Sequence, residues 1–193
     1  MTSYKRALIS VSDKDGLLEF AQGLLKIGIE LIATEGTVKY LGEHGIVAGK
    51  ISEYTGQKEI LGGRVKTLHP KIFASILATD RQTGELTSLG LDRIDMVVVN
   101  LYPFEATISH QSTTYEEAME NVDIGGVTLI RAAAKNAKHV AIITNKVQYP
   151  AILEELKSRN GSLSQETLQK LAIAAFKRTA DYDTAVYNYL LSK

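Results

Sequence analysis

Two short apolar runs, Arg6 to Val11 (RALISV) and Glu30 to Thr34 (ELIAT), bracket a segment in which Leu17, Phe20, Ala21, Leu24 and Leu25 recur at helical spacing. Gly28 closes that helix, and Glu35-Gly36-Thr37 leads into a second helical stretch, Val38 to Glu43, ended by Gly45. A βαβα unit thus appears within about 45 residues, and parallel strands with right-handed crossovers are the favoured way to join such pieces. The fold class expected is α/β: a doubly wound, mainly parallel sheet with additional C-terminal helices.

Further along, Ile51 to Lys71 loses periodicity and is rich in Gly, Lys and Thr, which reads as a long functional loop. Ile72 to Leu77 (IFASIL) and Asp95 to Leu101 (DMVVVNL) read as buried strands because their apolar runs are continuous. Between them, Ala78 to Arg93 is a polar excursion with a short helical piece at most. Tyr115 to Asn121 predicts a short helix, and Asp123-Ile124-Gly125-Gly126 precedes a helix over Val127 to Lys138 with a strongly helix-forming core, RAAAKNAK. Val140 to Thr144 is a strand, and Tyr149 to Ser158 and Gln165 to Leu191 are helices, the last with a stripe of Leu168, Leu171, Ala172, Ala175 and Phe176. No repeat or linker divides residues 1–193, so a single domain is expected.

Composition removes several classes of function. Lys and Arg number 22 against 22 Asp and Glu, so no global field draws the chain to nucleic acid or to an anionic membrane. With no Cys there is no disulfide, thiolate nucleophile or Cys-ligated zinc, and four scattered His leave little for another metal site. No metal is expected. No stretch approaches a membrane span, and the start, Met-Thr-Ser-Tyr-Lys-Arg, lacks a signal peptide's apolar core, so the expected address is cytoplasmic. The chemistry falls to oxygen and amine groups.

Ligands of open α/β sheets bind beyond the carboxyl ends of the strands, and anions favour helix N-termini. Two such places stand out: Ser12 with Lys14 after the first strand, and Thr34, Gly36 and Thr37 after the second. They could hold one phosphate between them; Ser12 and Thr37 could equally be plain helix caps. Gly62-Gly63-Arg64-Val65-Lys66-Thr67 is not a Walker A loop, because Val65 and Ile60 stand where that loop needs glycines. It leaves a guanidinium, an ammonium and a hydroxyl behind a flexible glycine pair, with Lys71 nearby. Asp123-Ile124-Gly125-Gly126 has the form of a turn that binds an anion or a base. Lys135, on a helix of small residues, either snorkels to solvent or pairs in a cleft. Asn100 and Tyr102 share the rim of a buried strand. Of the histidines, His69 either binds ligand or fills its turn, and His44, His110 and His139 lack partners at catalytic spacing.

Taken together, Ser10-Val11-Ser12-Asp13-Lys14, Arg64-Val65-Lys66-Thr67-Leu68-His69-Pro70, Asn100-Leu101-Tyr102-Pro103-Phe104 and Asp123-Ile124-Gly125-Gly126-Val127 through Arg131-Ala132-Ala133-Ala134-Lys135-Asn136 resemble the inosine monophosphate (IMP) cyclohydrolase domain, the N-terminal half of the bifunctional purine-biosynthesis proteins of the PurH family. The resemblance covers nearly the whole chain in order. It implies a methylglyoxal-synthase-like, Rossmann-like fold and the last step of de novo purine biosynthesis, closure and dehydration of formamidoimidazole-carboxamide ribotide (FAICAR) to IMP. It implies no cofactor. The family's following formyltransferase domain is expected to be absent from residues 1–193, and by the resemblance that domain normally contributes much of the homodimer interface.

By the same resemblance, Lys66 stabilises the developing oxyanion, and Tyr102, Asp123 and Lys135 form a proton-transfer network. Ser12, Lys14, Thr34, Gly36 and Thr37 hold the ribose phosphate; Arg64, Thr67, Asn100, Ile124, Gly125 and Gly126 frame the base. Glu35 departs from the expected pattern, since a carboxylate beside the phosphate loop must turn outward. Two other functions share this fold: a non-catalytic phosphometabolite-binding regulatory module, which uses only the phosphate loops, and methylglyoxal synthase, an elimination enzyme acting on a triose phosphate.

Overall fold

The computed structural model describes residues 3–102, 104–109 and 112–193; Met1, Thr2, Pro103 and His110, which carry parts of the readings above, lie outside the described residues. In chain order the elements are β1 (Arg6–Val11), α1 (Leu17–Lys26), β2 (Glu30–Ala33), α2 (Glu35–Glu43), β3 (Gly49–Lys50), α3 (Ile51–Thr55), a 3-10 turn (Leu61–Gly63), α4 (Pro70–Leu77), a second 3-10 turn (Asp80–Gln82) and α5 (Thr83–Ser88). Then follow β4 (Met96–Asn100), α6 (Phe104–Ser109), α7 (Tyr115–Glu120), α8 (Ile124–Lys135), β5 (Ala141–Ile143), a third 3-10 turn (Lys146–Gln148), α9 (Tyr149–Ser158) and α10 (Gln165–Leu191).

All four strand pairings are parallel, in the order β3-β2-β1-β4-β5. The chain leaves β1 in one direction for β2 and β3, then returns to β1's other side for β4 and β5. Right-handed crossovers therefore place α1 and α2 on one face and α8 on the other. Burial on both faces explains the continuous apolar runs: Ala7, Leu8 and Ile9 of β1 and Met96 and Val97 of β4 are fully buried. Helix α9 packs on α1, where Phe20 and Tyr149 stack at 4.3 Å and Gly23 leaves room for Leu153. Helix α10 packs on α8 and β5.

The segment Ile72 to Leu77 is helical, contrary to the strand expected from its apolar run. Such a run does not distinguish strand from buried helix, and here the entry decides it: His69 Nδ1 accepts the Lys71 N–H at 3.2 Å and Pro70 pre-sets the first turn of α4. Ile72 and Ile76, four residues apart, are both fully buried. The segment 51–71 is also more ordered than a plain loop. It holds α3 and a tight turn closed by an antiparallel bridge between Ile60 and Val65. Helix α8 starts at Ile124, three residues before the predicted start, because Asp123 caps it. On α10, Leu168, Leu171 and Ala175 are buried as expected, but Phe176 is exposed and the buried stripe continues through Thr179, Tyr182 and Tyr189. Among the described residues no helix is long and apolar enough to cross a membrane.

Candidate active site

The sheet's order reverses between β1 and β4, and their carboxyl ends lie level there, Val11 opposite Asn100. A cavity of about 860 Å³ opens at this point, within the range of small-molecule sites. Every site residue expected from the sequence except Lys135 lines it.

One end of the cavity is built by the loops after β1 and β2. Asn100 ties the first loop down: its Oδ1 accepts the Ser12 N–H at 2.6 Å and the Ser12 Oγ–H at 2.9 Å, while its Nδ2 donates to the Asp13 carbonyl at 2.7 Å. These bonds occupy the amide in shaping the loop, so Asn100 frames the site by position and has little left for a base. Ser12 does not cap α1, whose N-cap is Gly16 in the left-handed region. Lys14 Nζ donates to the Val11 and Ser12 carbonyls at 3.3 and 3.4 Å and lies 5.8 Å from the centroid of the Tyr40 ring on α2, so it spans both loops. At α2 the N-cap is Thr34, whose hydroxyl donates to Thr37 Oγ1 at 3.3 Å. Thr37 is thus a buried third residue of the helix and no cap. The N–H groups of Glu35 and Gly36 are among those the helix itself cannot satisfy. The Glu35 carboxylate accepts from Ser52 Oγ at 2.8 Å and faces Lys50 Nζ at 3.9 Å, so α3 and the residue before it hold the unexpected charge.

The other end is built by the turn before α8 and by the turn at 60–66. Asp123 Oδ1 accepts the Gly126 N–H at 2.6 Å, and Oδ2 lies 3.5 Å from the Tyr102 N–H. A Cβ on Gly126 would collide with the Asp123 carboxylate and with Leu101, so the carboxylate can fold over the helix start only because residue 126 is glycine. Burial pushes the Asp123 carboxyl above its ordinary range, opposed by these N–H groups and by the charge of Lys66. Lys66 is folded against Gly63, where a Cβ would lie 2.6 Å from its Cε; φ of +90° at Gly63 also favours glycine. Thr67 is buried with its hydroxyl over Gly125, Ile124 stands exposed at the rim, and Tyr102 is 48% exposed. Arg64 pairs with Glu120 of α7 at 2.7 Å across the mouth.

Lys135 is not brought to this cavity. It ends the helix whose start carries Asp123, which at about 1.5 Å per residue puts it roughly 18 Å away. There it is exposed at the helix's negative end, the snorkelling alternative. Among the described histidines, His69 caps α4, His44 Nδ1 donates to the Tyr40 carbonyl at 2.8 Å, and His139 lies 3.5 Å from Asp80. Glu120 and Tyr182, which touch this constellation from α7 and α10, had no sequence motif to mark them. Among the described residues no cluster of His, Asp and Glu is placed to hold a metal ion.

An all-parallel doubly wound sheet with two helix-start loops and a half-buried carboxylate at its switch point defines an α/β domain with a cavity where its strand order reverses. The chain belongs to the MGS-like domain family, whose model matches residues 16–128. The model of the AICARFT/IMPCHase bienzyme matches residues 133–193. The chain is 51% identical to the bifunctional purine biosynthesis protein PurH of Neisseria meningitidis serogroup C (strain FAM18) and 52% identical to that of Bacillus cereus (strain AH820), over 100% and 96% of its own length. It spans 37% of the length of each. Among solved structures, the crystal structure of ForH superposes with a TM-score of 0.84 at 34% identity, covering 96% of this chain and 98% of that one.

Proposed function

We propose that the chain is an IMP cyclohydrolase, converting FAICAR to IMP and water. The observation that carries this is convergence: Lys66, Tyr102 and Asp123, far apart in sequence, line the same cavity as Lys14 and the start of α2. The loops after β1 and β2 take the ribose phosphate, Lys14 supplying charge and α2 its unpaired N–H groups. Arg64, Thr67 and residues 124–126 face the imidazole carboxamide.

Ring closure joins the carboxamide nitrogen to the formyl carbon. An amide nitrogen is a weak nucleophile, and the attacked oxygen gathers negative charge, so the reaction needs positioning, proton transfer and a local cation. Lys66 stabilises the oxygen. As the N–C bond forms, the nitrogen gives up one proton and the oxygen takes one; the oxygen then takes a second and leaves as water while the formamide nitrogen loses its own. Asp123, its pKa raised by burial, is suited to both directions of transfer, and Tyr102 lines the same cavity. Lys135 has no step in this scheme.

A regulatory phosphometabolite module would use only the loops after β1 and β2; it would leave Lys66 without a role and Asp123 as a helix cap alone. Formyl transfer stays with the second domain of the resembling proteins. The reading carries a single catalytic domain in the cytoplasm, and sedimentation of the chain measures whether copies associate as a homodimer. The test of function is a product assay. With FAICAR the chain is expected to release IMP; methylglyoxal from dihydroxyacetone phosphate, or no product from either, overturns the proposal.

A further inference from the structure

Helix α10 reaches the turn that carries Asp123 through Tyr182. Tyr182 is 1% exposed, and its hydroxyl accepts the Asp123 N–H at 2.7 Å while facing the Asn121 carbonyl at 3.4 Å. The ring is fixed in turn: Phe104 meets it edge-on at 6.0 Å, and the Arg178 guanidinium, paired with Glu105 at 2.7 Å, lies 5.6 Å from its centroid. A partly buried N–H at the N-cap of α8 therefore has a buried, packed acceptor, which ties the main chain that carries the Asp123 carboxylate to α10. Residue 182 lies in the segment matched by the bienzyme model and outside the span matched by the MGS-like model.

We infer that Tyr182 is a positioning residue for ring closure, holding Asp123 through its main-chain N–H, so that α10 is a working part of the site. This rests on the proposal that Asp123 moves protons. A second phenol on the same helix supplies the control. Tyr189 is buried, meets Phe104 edge-on at 5.8 Å, and its hydroxyl has no partner among the described residues.

The experiment compares Tyr182→Phe with Tyr189→Phe in the whole chain. For Tyr182→Phe, kcat for IMP formation is expected to fall roughly tenfold or more, because a small misplacement of a reacting group costs that much. KM for FAICAR should stay within about twofold, since the phenol makes no ligand contact. Tyr189→Phe should leave both unchanged. Titration of the Asp123 carboxyl by NMR in the ligand-free protein gives a readout that does not need turnover. The groups facing that carboxyl and its support are Lys66 on the 60–66 turn, Tyr182 on α10, and Arg178 and Glu105 behind the ring. In Tyr182→Phe the midpoint should fall toward the ordinary carboxylate value, because a loosened turn admits water. Absence of IMP from the wild-type chain would defeat the function proposal and with it the role in ring closure, whereas unchanged titration of Asp123 in Tyr182→Phe beside an active wild-type chain would defeat the positioning by Tyr182 alone. Equal kcat and equal midpoints in the two variants overturn it, as does a Tyr182→Phe chain that cannot fold while Tyr189→Phe does.

Discussion

Asp123 concentrates the conflict between stability and chemistry in this chain. Its carboxyl caps α8 and accepts the Gly126 N–H, yet burial raises its pKa, so the folded state resists ionising a group that ionises freely when unfolded. The stability it contributes is full below the unfolded carboxylate range and is lost as pH rises through the folded value. Asp123→Asn keeps a good N-cap and removes the charge. It is expected to abolish turnover while raising Tm by a few degrees at neutral pH, the difference closing as pH falls below the ordinary carboxylate range. Thermal unfolding from pH 3 to 8 measures this; a variant less stable than wild type at neutral pH would contradict it. Residues of this kind were legible because motif and chemistry coincide: Ser12, Lys14, Lys66, Tyr102 and Asp123 all reach the cavity. Lys135 lies outside the cavity because its motif neighbours run along one helix, and a helix carries its two ends apart.

At the scale of elements, the helix start that shapes the site depends on how its far end is moored. Asn136, just past α8, is buried and donates its amide to the Ile76 carbonyl at 2.7 Å and the Ala78 carbonyl at 3.2 Å, closing the open end of α4. Asn136→Ala leaves those carbonyls unpaired at a cost of about 2 kcal/mol, or roughly 4–8 °C in Tm for a chain of this size. Urea unfolding should show a lower midpoint at unchanged slope; an unchanged midpoint would mean that α8 and α4 are held by packing alone. The same contact explains a failure of sequence reading. IFASIL has the composition of a strand, and what makes it helical is its entry through His69 and Pro70 and the capture of its exit by a side chain 60 residues away. The spans of β1, α9 and α10 were legible, since local periodicity decides them.

For the whole molecule, the βαβα opening implied the parallel, doubly wound sheet, and the observed strand order then locates the cavity without reference to any motif. What no local pattern could convey is which distant groups meet there. The bonds from Asn100 to Ser12 and from Tyr182 to Asp123 join residues 88 and 59 positions apart. The central claim is that Lys66 acts on the reacting oxygen in a cavity whose phosphate grip lies elsewhere. Steady-state kinetics of Lys66→Ala with FAICAR tests it most directly. The expected result is a kcat lower by about 10² to 10³ with KM within a few-fold of wild type. Wild-type kcat, or a loss confined to KM, would contradict the account.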